Sequence, residues 1–430
     1  MKKLRLISLL LLAVVPIFIG CKVGPDYHGP PASSVASSDW TEPESEEVSA
    51  TPTDLCRWWE SFNDPILNQL VGSAVQNSPT LRQAAYRIVQ ARAQLGTVRA
   101  DLFPQVDTDG NFYHSKQSAL NPIPGIPLVR DTWSWGMNAN WEVDVFGRLR
   151  RLVEASEADI CVTVEDYRNT MIILMSDVAR SYVDARAFQQ RIAVVKKSIA
   201  IQYETLKLAE KKKEIGTGAT ALDVAQARAN FKSTESDLPP VELGYRQAVN
   251  RLSVLLGTPP GSVDEMMSLR REDLVAEGPG AEAVENGGAP GADAPSQSRL
   301  EEILATPLKR VIPLPPEQLA VGIPADLLRR RPDIRAIERR IAAQNARIGA
   351  AEGLLYPMFS ISGTFGLDAE DFSKLFTSGA VNAGVGPAFR WNILNFGKYR
   401  CNVAVQRAAT QELIALYQDS VLRAAEEVDD

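Results

Sequence analysis

Residues able to do chemistry are sparse in this chain of 430. It holds two histidines, His28 and His114, and four cysteines. That scarcity removes most metal sites and most His-dependent catalysis. Glu142 and Asp144 stand two apart in the stretch WSWGMNANWEVDVFGR, residues 133–148. On a strand, two carboxylates so spaced share a face. They would hold a cation or, the weightier reading, line a solvated wall and take salt bridges from Arg148 and Arg390. Gly216-Thr217-Gly218 has the outline of a phosphate loop, but it follows a charged helix rather than a strand and reads as a turn. Cys161 and Cys401 read as helix-packing residues. A formal net charge of −7 argues against nucleic acid, and Arg329-Arg330-Arg331 reads as a solvated approach to a helix. No enzyme constellation, no metal ligand set and no cofactor is expected.

The elements that must position these groups are legible in the same stretch. Trp133, Trp135, Met137, Ala139, Trp141, Val143 and Val145 alternate with Ser134, Gly136, Asn138, Asn140, Glu142 and Asp144. Alternation this strict predicts a β-strand with one apolar and one polar face. The chain also repeats itself. Pro79 matches Pro332, Leu81 matches Ile334, Gly96 matches Gly349, and Phe103-Pro104 matches Tyr356-Pro357, always 253 positions apart. Past an intervening loop the offset becomes 250: Trp141 matches Trp391 and Phe146-Gly147 matches Phe396-Gly397. Each unit predicts a helix of about 25 residues with Pro in its first turn, then a strand hairpin, 105–145 or 358–395. Ser78 is the expected cap of the first of these helices. Pro387, within the last strand at 381–393, suits a sheet edge.

After Gly147 the period becomes heptad. Val164, Met171, Val178, Ala185, Ile192, Ile199 and Leu206 fall at one core position; Tyr167, Leu174, Phe188, Val195 and Ala209 fall at the other, with Ser181 and Gln202 as breaks. This predicts a helix over 148–215 in left-handed coiled-coil packing, on the order of 100 Å long at 1.5 Å per residue. A turn at 216–223 leads to a return helix over 222–256, interrupted at Pro239-Pro240. The helix before the strands and the return helix, stacked end to end, would run antiparallel along the long one, which predicts a rod or tube. Repeat 1 thus spans 65–260 and repeat 2 begins at 331. The linker 261–330 carries a low-complexity insertion at 272–298. Residues 21–64 read as an extended segment, polar and without period over 38–53.

The N-terminus, MKKLRLISLLLLAVVPIFIGC, has a basic start and an apolar run too short for a comfortable span. Residues 1–20 are read as a signal peptide. Gly20-Cys21 resembles the lipobox of bacterial lipoproteins, with Phe18 where Leu is usual. The resemblance implies a covalent lipid on Cys21, and Lys22 in place of Asp implies passage to the outer membrane.

Taken together, the chain resembles the TolC-like outer-membrane factor family, in its lipoprotein branch serving RND-type tripartite efflux pumps. The residues that carry this are Cys21-Lys22-Val23-Gly24-Pro25-Asp26-Tyr27, Trp58-Trp59 with Phe62 and Asp64-Pro65, 141–148 (WEVDVFGR), Leu255-Leu256-Gly257 and 328–335 (LRRRPDIR). The resemblance implies a homotrimeric duct, mainly α with membrane β, whose shared 12-stranded barrel continues into a coiled-coil helical tube. Four strands per chain lead to the same place, because the smallest membrane barrels need about eight. Trp133, Trp135, Trp141 and Trp391 would then face lipid, and Asn138, Asn140, Glu142 and Asp144 a watery lumen. Gly216, Gly218 and Asp223 match the periplasmic tip, where the family meets an adaptor protein on the way to an inner-membrane pump. The counterpart of Gly216 would fall near position 466, whereas the chain stops at Asp430; the expectation is a fragment lacking the second tip and its return helix. Protein export by a type I secretion system is a competing reading, and a lipid-tethered periplasmic coiled-coil scaffold is another.

Overall fold

A computed structural model describes residues 22–29, 48–49, 55–121, 124, 127–268, 312–314, 319–320 and 330–429. The expected signal peptide, Cys21 and the insertion at 272–298 lie outside these residues, as does nearly all of 38–53. The helices are α1 (Pro65–Asn77), α2 (Pro79–Ala100), α3 (Arg148–Glu214), α4 (Ala221–Ser236), α5 (Leu238–Leu255), α6 (Asp264–Ser268), α7 (Pro332–Gly353) and α8 (Lys398–Asp429). The main strands are β1 (Gln105–Lys116), β2 (Val129–Val143), β3 (Met358–Ala369) and β4 (Val381–Arg390). The chain divides into a sheet unit (Met1–Thr41, Ala85–Asp166, Pro324–Asp430) and a helical unit (Glu42–Ala84, Tyr167–Ile323).

The helical unit buries one apolar cluster, drawn from α1, α3, α5 and α6 and including Leu70, Val178, Leu252 and Met267. The predicted heptad positions Leu174, Val178 and Ala185 are buried, but so are Met175, Ala179 and Tyr182. The stripe is wider than a two-per-heptad seam because α3 meets several partners here, as globular helices do. Residues 55–62, expected to be extended, wind into 3-10 turns, which lets Trp58, Trp59 and Phe62 all pack on the cluster. Asp64 then caps α1, accepting from the amides of Ile66 (2.9 Å) and Leu67 (3.2 Å). Its other oxygen accepts from the Tyr182 hydroxyl at 2.7 Å, and that hydroxyl accepts from Arg186 Nε at 3.1 Å. The return helix breaks where expected: α4 ends at Ser236, and Pro239 and Pro240 sit in the first turn of α5. One expectation fails here. Ser78 stands at the start of α2, its carbonyl accepting from the Arg82 amide, and its own amide closes α1 on the Ala74 carbonyl, but its hydroxyl is buried without a partner and caps nothing.

In the sheet unit the four strands run antiparallel in the order β1-β2-β3-β4, leaving β1 and β4 as edges. Pro387 therefore lies on an edge strand, paired with Ile361. The helix before each hairpin is shorter than predicted: α2 stops at Ala100, and Leu102 and Phe103 close it with tight bonds to Arg99 and Ala100. α7 and α3 are tied by Arg347–Asp159 (2.6 Å) and Arg340–Asp166 (3.1 Å), one heptad apart on both helices. Two further ion pairs have their charges exchanged, Arg99–Glu157 at 2.5 Å and Arg407–Glu352 at 2.7 Å.

Candidate functional site

Directly opposed residues of antiparallel strands project to one face, so the register assigns every side chain of the sheet. One face carries Phe112 beside Trp133, Met137 beside Phe365, Trp141 beside Ile361, and Val143, Phe359 and Phe389 in a row. Trp133 packs on Phe112 (4.3 Å between ring centroids) and on Phe372 of the loop after β3 (5.0 Å). Trp135 meets Phe365 edge-on at 6.5 Å. The other face carries Asp107, Asn138 and Thr364 in one row, Gln105, Asn140 and Ser362 in the next, then Glu142 and Ser360. Asn138 Nδ2 donates to Asp109 at 2.8 Å, and the Ser362 hydroxyl donates to Asn140 at 3.3 Å. Both faces extend across all four strands without a break in parity. Large apolar groups stay open to the surroundings on the first: Val385 is 83% exposed and Phe389 71%.

Two ends of the predicted strands are corrected. β2 stops at Val143, not Val145. Asp144 therefore leaves the polar face and accepts from the Arg150 amide (2.9 Å) and side chain (3.2 Å), fixing the start of α3. Glu142 is gripped by Arg148 at 2.8 Å. Both carboxylates are thus engaged by guanidinium groups, Arg150 taking the place expected of Arg390. β4 stops at Arg390, short of the predicted Ile393, which places Trp391 just past the strand. Its indole N–H donates to the Leu355 carbonyl (3.1 Å), as that of Trp141 does to Leu102 (2.9 Å). Cys161 and Cys401, expected to pack, are exposed.

Beside the sheet lies a feature that sequence reasoning missed. Residues 22–27 form a strap across α3 and α7. The Val23 amide donates to the Phe146 carbonyl at 3.2 Å. Arg151, 1% exposed, donates to the carbonyls of Val23 and Gly24, both at 3.0 Å, and to Asp26 at 2.8 Å. That guanidinium holds the Asp26 carboxyl below its usual range. Asn345 holds the Pro25 carbonyl at 2.9 Å, and burial pushes the Tyr27 phenol up to about 12. Gly24, at φ +92°, lies so close to α7 that a Cβ would stand 2.3 Å from the Gly349 Cα. The sequence carried the motif at 21–27 and the repeat-matched Gly349, but nothing in it joined the two.

At the other candidate, α3 ends in a Schellman motif: the Thr217 amide reaches the Lys212 carbonyl and the Gly216 amide reaches Lys213. Gly216 (φ +72°) and Gly218 (φ +97°) both take the left-handed backbone that the reversal needs. Asp223 forms a capping box with Thr220, and hydrogen bonds from that residue lower its carboxyl pKa. The turn itself is exposed, with Ile215 at 62% and Leu222 at 75%. Among the described residues no helix is long and apolar enough to cross a membrane.

Known proteins resemble this chain. The toluene efflux pump outer membrane protein TtgF of Pseudomonas putida is 27% identical over 419 residues, covering 96% of this chain and 78% of that protein. The cation efflux system protein CusC of Escherichia coli is 26% identical over 424 residues, with 98% and 82% covered. The solved outer-membrane channel OprN superposes with a TM-score of 0.69 at 28% identity, over 95% of this chain and 82% of that one. Residues 70–258 and 323–430 match the profile of the outer membrane efflux protein family, and by that match the chain belongs to it.

Proposed function

We propose that this outer-membrane efflux channel works as the passive exit duct of a tripartite pump, and that three copies build it. The observation that carries the reading is the sheet with one apolar face, one polar face and two open edges. Four strands cannot close on themselves, and three sets of four make a barrel of about the twelve strands that membrane barrels readily adopt. The face of Trp133, Trp135 and Trp141 then meets lipid, with Trp391 close to one interface. Asn138, Asn140 and Glu142 line a watery lumen, and two structural repeats supply a hairpin each.

A lipid on Cys21 fits the strap, since its neighbour Lys22 lies against Gly147, where β2 hands over to α3. An acyl chain there would start at the base of the sheet, at one edge of the hydrocarbon layer. The turn at Gly216, Gly218 and Asp223 presents an exposed surface to a periplasmic adaptor, through which an inner-membrane RND-type pump supplies the energy. The duct has no catalytic role. The names of TtgF and CusC point to cargoes as unlike as toluene and cations, consistent with a water-lined bore that imposes little chemistry.

The test is purification of the chain from outer membranes, followed by gels with and without heating and by planar-bilayer recording. A heat-labile oligomer that conducts, with residues 129–143 protected from protease in vesicles, is expected. A soluble monomer with a protease-sensitive sheet would refute the reading.

A further inference from the structure

Within that shared barrel, we propose the register of the seam between copies: β4 of one protomer lies antiparallel to β1 of the next, with Arg390 directly opposite Asp109. This rests on the shared-barrel reading and adds the residues at its seam. The basis is the offset between the two halves of the sequence, 253 positions for first strands and 250 for second strands. Applied to the first hairpin, the offsets carry the pair Gln105–Asn140 onto Met358–Arg390, the pair that the second hairpin makes. They also carry the bond from Trp141 to Leu102 onto that from Trp391 to Leu355. The same rule can be applied to the pairing between the halves, β2 with β3. Asn140–Ser362 becomes Arg390–Asp109. Those two residues sit on opposite edges of one sheet, so they meet only between two copies.

Four features fit this register. Where Asn140 and Ser362 share a neutral hydrogen bond on the polar face, the seam brings together a guanidinium and a carboxylate. The stack of Phe146 on Tyr356, 4.6 Å between centroids, becomes Phe396 of one copy on Phe103 of the next. In the single chain these rings are 93% and 65% exposed. The early end of β4 also has a cause. Residues 141–143 of β2 pair only with β3, and the matching partner for 391–393 is β1 of another copy. Cys401 would likewise lie against Gly96, as Arg151 lies against Gly349, and Gly96 has open space beside it.

The experiment uses the full chain with its leader, expressed to the outer membrane, with Cys56, Cys161 and Cys401 changed to Ser. Asp109→Cys with Arg390→Cys is compared with Asp109→Cys and Ala388→Cys, two residues off register on the same face. Opposed residues stand about 5 Å apart and diagonal ones about 7–8 Å, so oxidation should link the first pair about tenfold faster. Covalent dimers and trimers from the first pair are the expected result. Faster linkage of the off-register pair, or none at 109–390 in a protein that still runs as a native oligomer, overturns the register alone. A parent chain that never oligomerises sinks the shared barrel as well. As a second readout, Arg390→Asp should weaken the heat-labile oligomer and Asp109→Arg in the same chain should restore it; failure of the double variant to recover, while the parent stays oligomeric, also overturns the register.

Discussion

Replacing Arg151 with Ala should release the N-terminal strap without unfolding α3. Its guanidinium is 1% exposed and holds two backbone carbonyls, Val23 and Gly24, at 3.0 Å each. Hydrogen bonds from a charged donor contribute about 1.5–3 kcal/mol each. The ion pairs add little, because Asp26 is 70% exposed and Glu154, 35% exposed, keeps its bond to Lys22 at 2.7 Å. Water entering the vacated space would recover part of the loss, leaving about 3 kcal/mol. At about 1.4 kcal/mol per factor of ten, the strap would open roughly 100-fold more often. Hydrogen exchange read by mass spectrometry on a peptide covering 22–29 measures this directly, through the Val23 amide bonded to Phe146. Protection there should fall about 100-fold in Arg151→Ala, and also in Arg151→Lys, which keeps the charge but lacks the planar fork. Unchanged protection at Val23, or loss spread evenly along α3, would show that the strap is held by something else.

Gly24→Ala should match the Arg151 variant in the same exchange measurement, since a Cβ at φ +92° would meet the α7 backbone 2.3 Å away; a strap that stays protected contradicts the close approach. Tyr182→Phe leaves Asp64 and Arg186 without their shared hydroxyl and should cost about 1–3 kcal/mol, seen as a lower thermal midpoint by circular dichroism. An unchanged midpoint would mean that water replaces the hydroxyl. For Asp333, burial acts upward on the carboxyl, but the hydrogen bond and charge of Arg331 outweigh it and hold the pKa below the usual range. A depressed folded value means that the stabilisation is present above the unfolded pKa, about 4, and is lost as pH falls through the folded value beneath it. Exchange at the Ile334 amide, which donates to Asp333 at 2.8 Å, should hold level after correction for intrinsic rate from neutral pH to about 4 and rise below. Asp333→Asn should abolish that acid step, and a variant that keeps it would assign the step to another group.

Much of the fold could be read from periodicity because each signal is local. The alternation through Trp133, Trp135 and Trp141 needs only the pleat, and the reversal at Gly216 and Gly218 needs only a backbone that tolerates positive φ. The helix break at Pro239-Pro240 is equally local. Arg151 escaped notice for the opposite reason. It sits in the run Arg148-Leu149-Arg150-Arg151, whose charge density argues for solvent. Its burial depends on a strap more than a hundred residues away and on a glycine in α7 that lets that strap approach. Ser78 misled in a related way. A Ser before Pro looks like a cap, and Ser78 does join the two helices, but through its backbone amide and carbonyl rather than through its hydroxyl.

Three features of the second half differ from their counterparts in the first, and the difference is informative. Trp391 falling outside its strand, Phe396 standing bare and Cys401 lying open all concern the second half of the chain. Their counterparts in the first half, Trp141, Phe146 and Arg151, each touch residues of the other half: Ile361, Tyr356 and Gly349. A duplicated sequence in one chain satisfies the contact from first half to second once and leaves the reverse contact open. β1 and β4 are long edges with unpaired backbone groups, which soluble proteins blunt or cover and which hydrocarbon does not tolerate, since no water is there to satisfy them. In the proposed assembly a partner offering the same two edges removes both costs, and each added copy exposes the next pair until the ring closes. In that assembly the early end of β4 falls where the repeat places a neighbour: residues 141–143 of β2 are held by β3, and the matching partner of 391–393 is β1 of another copy.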